Sequence, residues 1–260
     1  MTSILRIESR KRVRESLTLT GAFALIAVFF FAVFPAMQEE AQLIEEAFPE
    51  YLVGLIGFED MHLIEGFTGS YIYSLLWVVF VGIYFAYLSA GLIVGDIRSR
   101  RMDLTLSNPV SRESVILQKF ASLWVPLLVL NAGFLVVVLT GAALIGESLD
   151  LGAMVMVHLL SLPYLLVCAG IGLVFSVVLD REGNAQVSAL GMVFLLWLVE
   201  GLSHSQEDFE WVGAFTPHRY FDPAAILVDE EYAFLDAGLL LVVFLILLSV
   251  AVVSFVRRDI

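Results

Sequence analysis

The chain has 260 residues, of which 60% are hydrophobic and only 16% charged, and its mean hydropathy is +0.91. Soluble domains carry about 25% charged residues, so this balance excludes an ordinary water-soluble domain and puts most of the chain in lipid. The net charge of −13 argues against a basic nucleic-acid footprint, and the single cysteine, Cys168, excludes an intrachain disulfide framework.

In chain order, the first element is Ile4–Leu17, which mixes apolar and basic residues and reads as a helix lying on the membrane surface. A helix needs about 20 apolar residues to cross the hydrocarbon core. Six stretches qualify: Leu17–Ala36, Tyr71–Gly95, Phe120–Ile145, Leu151–Leu179, Ala185–Leu202 and Ala237–Val256. They are too continuous for barrel strands, which alternate over about 10 residues. The expected fold class is therefore an all-α membrane protein with six transmembrane helices, forming one transmembrane domain over residues 1–260. The first stretch is longer than the apolar region of a signal peptide, roughly 7–15 residues, and reads as an uncleaved anchor.

Orientation follows from the basic residues. The N-terminal segment, the loop after span two, Arg181 and the tail together hold 13 of the 14 lysines and arginines, leaving Arg219 alone on the opposite face. That face is expected to be cytoplasmic, with both termini on it. The other face is acidic: its first loop carries eight Asp and Glu between Glu39 and Glu65, with no Lys or Arg. Screening makes dense like charge tolerable at high salt, which two lysines against twelve arginines also fits. A cation-collecting vestibule is the sharper alternative. In the outer loops, Gln38–Phe48 has helical amphipathic spacing, Tyr51–Phe58 suits an interfacial segment, and the aromatic loop from Trp211 to Phe234 suits the outer leaflet.

Chemistry is sparse. A phosphate-binding P-loop needs a glycine loop ending in Lys, and neither Lys11 nor Lys119 sits in one. The four histidines have no metal-ligand spacing. The chain is expected to be no enzyme, with no cofactor or metal of its own. Ionisable and polar residues at membrane depth are functional candidates: Asn131 and His158 are candidates for a translocation path, Asn131 also for interhelical bonding, and Glu200 is expected just outside the core. Pro126 and Pro163 are expected to kink their helices. Gly82, Ala86 and Ala90 form a small-residue stripe with a GxxxG at Gly91 and Gly95 beside it, suited to tight packing within the chain or to a dimer seam.

The loop after span two is the most informative. Met102, Leu104 and Leu106 make it amphipathic, Asn108-Pro109 breaks it, and Ser111 can cap a new helix, Arg112–Lys119. Such a surface helix is what docking of a soluble partner requires.

An acidic residue ending span two, then Met-Asp-Leu-x-Leu-x-x-Pro-Val-Ser-Arg and a Lys, resembles the signature loop of type-2 ABC exporter permeases. The six spans, long first outer loop, Phe215–Leu227 segment and terminal Arg257-Arg258-Asp259 are similar too, so the resemblance covers the whole chain. It implies a permease that moves substrate by alternating access, a homodimer or a pair of related subunits in the cell membrane, and separate ATPase subunits that bind ATP and magnesium. By resemblance, Asp96, Met102, Asp103, Leu104, Pro109, Val110, Ser111 and Arg112 form the coupling region. Relatives usually have Gly-Thr just before the Met, where this chain has Arg100-Arg101, which implies either a more electrostatic coupling or a specialised partner. The rival readings are a membrane component of a metalloenzyme-maturation system and an ion-coupled secondary transporter. The second typically shows paired carboxylates within spans or inverted repeats, which are not visible here.

Overall fold

The structure is a computed structural model that describes residues 3–39, 61–203 and 209–258. Among these residues every regular element is helical. The surface helix and the first span are one continuous helix, α1 (Ser3–Glu39), with Pro35 near its end. Span two, α2 (Ile64–Arg98), is longer than its apolar core alone suggests. The short α3 (Arg101–Leu106) leads to α4 (Arg112–Ala121), which runs into α5 (Trp124–Leu144). Then follow α6 (Leu151–Val178), α7 (Glu182–Ser203), two short outer helices α8 (Glu210–Gly213) and α9 (Pro223–Val228), and α10 (Phe234–Arg257). Six of these helices, with α4 and α5 counted together, are long and apolar enough to cross a membrane. The expected Gln38–Phe48 helix and Tyr51–Phe58 segment lie largely outside the described residues.

The bundle is organised around α6, which packs against α10, α7 and the Gly82–Ala90 part of α2, while α1 packs against α5. The α6 and α2 spans are the most buried, whereas α1 and α10 turn large apolar side chains outward, including Leu25, Phe29, Leu245 and Ile246. Outward apolar faces are what a lipid solvent requires, because lipid tails are as apolar as the side chains they meet.

The small-residue stripe on α2 faces α6 within the chain. A Cβ placed on Gly172 would sit 2.1 Å from the Ala86 carbonyl oxygen, and Ala86 and Ala90 are fully buried. The stripe therefore serves packing inside one chain. The GxxxG beside it has a different use: Gly91 and Gly95 leave room for the side chains of Glu182 and Gln186 on α7, whose polar atoms come within 3.2 Å of where their Cβ atoms would lie.

The two prolines expected to kink their helices sit in different places. Pro163 lies inside α6, as expected. Pro126 is in the first turn of α5, just after the Ser122–Leu123 break, where a missing N–H costs no helical hydrogen bond. It starts a helix and does not bend one.

Candidate functional site

The site begins at a break in α2. After Ala90 the helix loosens through Gly91–Ile93, and the freed N–H groups of Ile93 and Val94 donate to the Ser176 hydroxyl of α6, at 2.9 and 3.3 Å. Buried backbone donors must find such partners. The last turn, Val94–Arg98, then presents Asp96 inward.

Asp96 is the hub of a charge cluster. Its carboxylate takes the Lys119 ammonium of α4 at 2.5 Å and the Arg101 guanidinium at 3.2 Å. Glu8 of α1 meets the same ammonium at 3.5 Å. Lys119 is only 3% exposed, so its charge depends on these partners. Arg12 of α1 donates through Nε to the Ser122 hydroxyl at 3.0 Å, and that hydroxyl donates to the Lys119 carbonyl. Three segments distant in sequence are thus joined: the start of α1, the end of α2, and α4. They surround a polar chamber of about 310 Å³, also lined by Glu15 and Glu182.

The local sequence builds α4 as expected. Ser111 is extended and accepts from the Ser114 N–H at 3.2 Å, the arrangement of a helix cap. Glu113 in the first turn and Lys119 in the last complement the helix dipole. The Glu113 backbone N–H and the Ser111 hydroxyl hold the Glu113 carboxyl below its ordinary range.

The loop residues separate by burial. Met102 is fully buried and anchors α3, whereas Leu104 is 71% exposed beside exposed Asp103 and Pro109; Val110 is half-buried. Arg112 is turned toward its own chain: its Nη1 donates to the carbonyls of Val256, at 3.2 Å, and Arg258. Arg258 in turn donates to the carbonyls of Val177 and Leu179 and pairs with Asp180 at 2.7 Å, in the turn between α6 and α7. This clamp was not legible in the sequence, where Arg258 counted only as part of a basic tail. Together these contacts bring the four basic segments to one end of the bundle.

Arg100 adopts a left-handed backbone, φ +57° and ψ +14°, at the residue that starts α3. Glycine takes this conformation at no steric cost, which gives a physical reason for the Gly expected there by resemblance.

Deeper in the bundle, His158 and Asn131 are bonded to each other. The Asn131 amide nitrogen donates to the Leu127 carbonyl, which leaves its oxygen toward His158 Nδ1 at 3.0 Å. That assigns the proton to Nδ1, so Nε2 accepts from the Tyr73 hydroxyl at 2.9 Å. Trp77 stacks on Phe134 and meets the imidazole edge-on. Both His158 and Asn131 are buried, so in this conformation they form an interhelical latch joining α2, α5 and α6. Tyr73 and Trp77 come from a π-wound stretch of α2, Thr68–Val81. An i→i+5 wind is rare and often marks function; Tyr73 and Trp77, four residues apart, share a face in an ordinary α-helix too, and nothing in their spacing shows that this face meets His158.

At the acidic end, Glu200 lies near the end of α7, is buried within the protein and accepts from the Thr216 hydroxyl at 2.5 Å. Gly213 permits this approach, since a Cβ there would lie 2.7 Å from the Glu200 carboxylate. Arg219, the lone outer cation, pairs with Glu210 at 2.9 Å. Phe221 stacks on Tyr164 of α6, and Asp222 caps α9, which packs on the π-wound stretch.

No group of three or more potential metal-ligating side chains occurs among the described residues. A sequence model of a protein family, described as ABC-2 family transporter protein, matches residues 2–260. A search of curated proteins returns no match.

Proposed function

This chain belongs to the ABC-2 transporter family and is a multi-pass membrane subunit of an ABC transporter; from that premise we propose that it works as an exporter permease in the cell membrane, powered by separate ATPase subunits. In this reading the basic end is cytoplasmic, the chain hydrolyses no ATP itself, and ATP and magnesium are bound by the partners. Two permease chains, identical or related, complete the transporter. Substrate crosses by alternating access.

The observation that carries the reading is the Asp96 cluster beneath an exposed α3. Leu104 projects 71% exposed between Asp103 and Pro109, a small apolar contact suited to a soluble partner. Force on α3 passes upstream to Asp96, and from Asp96 to Lys119 and Glu8. Downstream it passes through Arg112 to the ends of α10 and α6. Buried ion pairs break at a high cost, so the connection is stiff, and two alternative packings of the spans can be selected by the state of the ATPase pair.

The test is purification of the tagged chain from its own membranes. A Walker-A ATPase is expected to accompany it, Leu104→Glu to release that subunit, and Asp96→Asn to retain it while uncoupling ATP hydrolysis from transport. If no ATPase associates, and charge reversal of Arg98, Arg100 and Arg101 changes nothing, the coupling reading fails.

A further inference from the structure

The chamber around Asp96 opens on one side into a second space of different character. This is an apolar groove of about 540 Å³ between α1 and α2, lined by Thr18, Leu19, Ala22, Tyr84 and Leu88, with Arg14 at its charged end. Glu15, Tyr87 and Leu88 line both spaces, so the two adjoin. Polar chamber and apolar groove together form one amphipathic cleft, with its charged part at the basic end and its apolar part along the flank of the bundle. Each volume lies within the range of small-molecule sites, roughly 300–1,000 Å³.

Arg12 stands in the chamber with unspent donors. It is only 8% exposed, and Nε, bound to Ser122, is its one hydrogen-bonding nitrogen among the described residues. Its terminal nitrogens form no ion pair there, whereas the nearby Lys119 is held by two carboxylates. A guanidinium fixed at Nε and free at both ends is pre-shaped for bidentate contact with a phosphate. Glu8 and Glu15 act on this cation from beyond ion-pair distance, so its terminal nitrogens stay open to a directly bonded anion. Glu15 is the charged residue where the two spaces meet, and Arg14 lines the groove beside it.

We propose that this cleft binds one membrane phospholipid, its phosphate on Arg12 and one acyl chain along the Leu19–Ala22–Tyr84–Leu88 groove. The head shares the chamber with Lys119 and with the carboxylates Glu8, Glu15, Asp96 and Glu182, so it sits beside the cluster that joins α1, α2 and α4. The proposal depends on membrane residence alone and stands whether or not an ATPase couples at α3.

The experiment is native mass spectrometry of the full chain in detergent, titrated with phosphatidylglycerol. Diacylglycerol of the same chains and inorganic phosphate serve as comparison probes. One phospholipid is expected to persist at activation energies that strip the annular lipid. Its affinity should fall at least about tenfold in Arg12→Gln, the scale of one lost charge-assisted contact. Ala22→Trp, which fills the groove and leaves every charge in place, should lower it similarly. A thermal unfolding curve shows whether each variant is folded, and Ala22→Trp carries the test if Arg12→Gln is not. Equal retention by folded variants overturns the site, as does diacylglycerol binding as tightly as phosphatidylglycerol. Displacement of the lipid by millimolar inorganic phosphate would make this a phosphate site, against the proposal. Efficient intersubunit crosslinking of Ala22→Cys, in a chain whose native Cys168 is buried, would give the groove to a second copy and also refute it.

Discussion

Replacing Arg100 with glycine should stabilise the α3 loop. Arg100 sits at φ +57°, where an L-residue pays about 1–2 kcal/mol for the close approach of its Cβ to the following carbonyl oxygen. Glycine escapes that cost but loses roughly 0.5–1 kcal/mol through the greater freedom of the unfolded chain. The Arg100 side chain is exposed and makes no hydrogen bond or ion pair among the described residues, so little else is lost. The net gain is about 0.5–1 kcal/mol for opening of this loop. Arg98→Gly is the matched control. It also removes an exposed arginine, but from the last turn of α2, where glycine costs up to about 1 kcal/mol. Hydrogen exchange of the amides from Ile97 to Leu106 reads both changes directly, because local opening governs exchange there. Arg100→Gly should slow exchange by roughly two- to fivefold and Arg98→Gly should accelerate it by up to a similar factor, given that 1.4 kcal/mol is tenfold. If both accelerate it, the left-handed backbone at residue 100 is wrong, and so is the physical reason offered for the glycine expected there.

Asp96→Asn should destabilise the folded chain by about 3–5 kcal/mol, because it leaves Lys119 buried with only Glu8 at 3.5 Å; adding Lys119→Met should recover most of the loss in detergent thermal unfolding. Gly172→Ala should cost about 1–3 kcal/mol, since its methyl meets the Ala86 carbonyl. Gly183→Ala, with open space around it, should be neutral or stabilising by up to about 1 kcal/mol, and equal effects of the two would contradict the close crossing of α2 and α6. Asn131→Leu should cost about 1 kcal/mol through the orphaned His158 Nδ1–H, with His158→Leu then adding little further loss. An additive double mutant would show that the two residues are not bonded.

The spans were legible because lipid imposes one rule on every residue of a crossing helix, and a run such as Leu151–Leu179 has few alternatives. The positions of partners were not legible, because they depend on how helices rotate against one another. Gly91 and Gly95 read as a helix-packing motif, but they admit a carboxylate and an amide from α7. Glu200 reads as a boundary residue because its partner, Thr216, is supplied by a loop sixteen positions later. Tyr73 and Trp77, four residues apart and so on one helix face, reach His158 only because of how that face of α2 is turned toward α6. In the loop after span two, the motif singled out Asp96 and Ser111, and the structure gives each a local role, in an ion-pair cluster and in a helix cap. It could not separate Leu104, which faces outward, from Arg112, which faces the chain's own C-terminal end.

That separation changes how the loop works as a part. α4 is held at its far end, through Lys119 and Ser122, to α2 and α1. At its near end Arg112 holds the last carbonyls of α10, and Arg258 carries the connection to α6 and the turn into α7. With α5 continuing from it, α4 is tied to every one of the six spans. α3 hangs between two backbone breaks, the left-handed Arg100 and the Asn108-Pro109 turn, and only Met102 is fully buried in it. An element that is weakly held and lies between two strongly held points can shift without unfolding, and its shift loads both points at once. On the proposed coupling, displacing α3 would shift α4 as a body, and with it the basic ends of spans that its own sequence never touches.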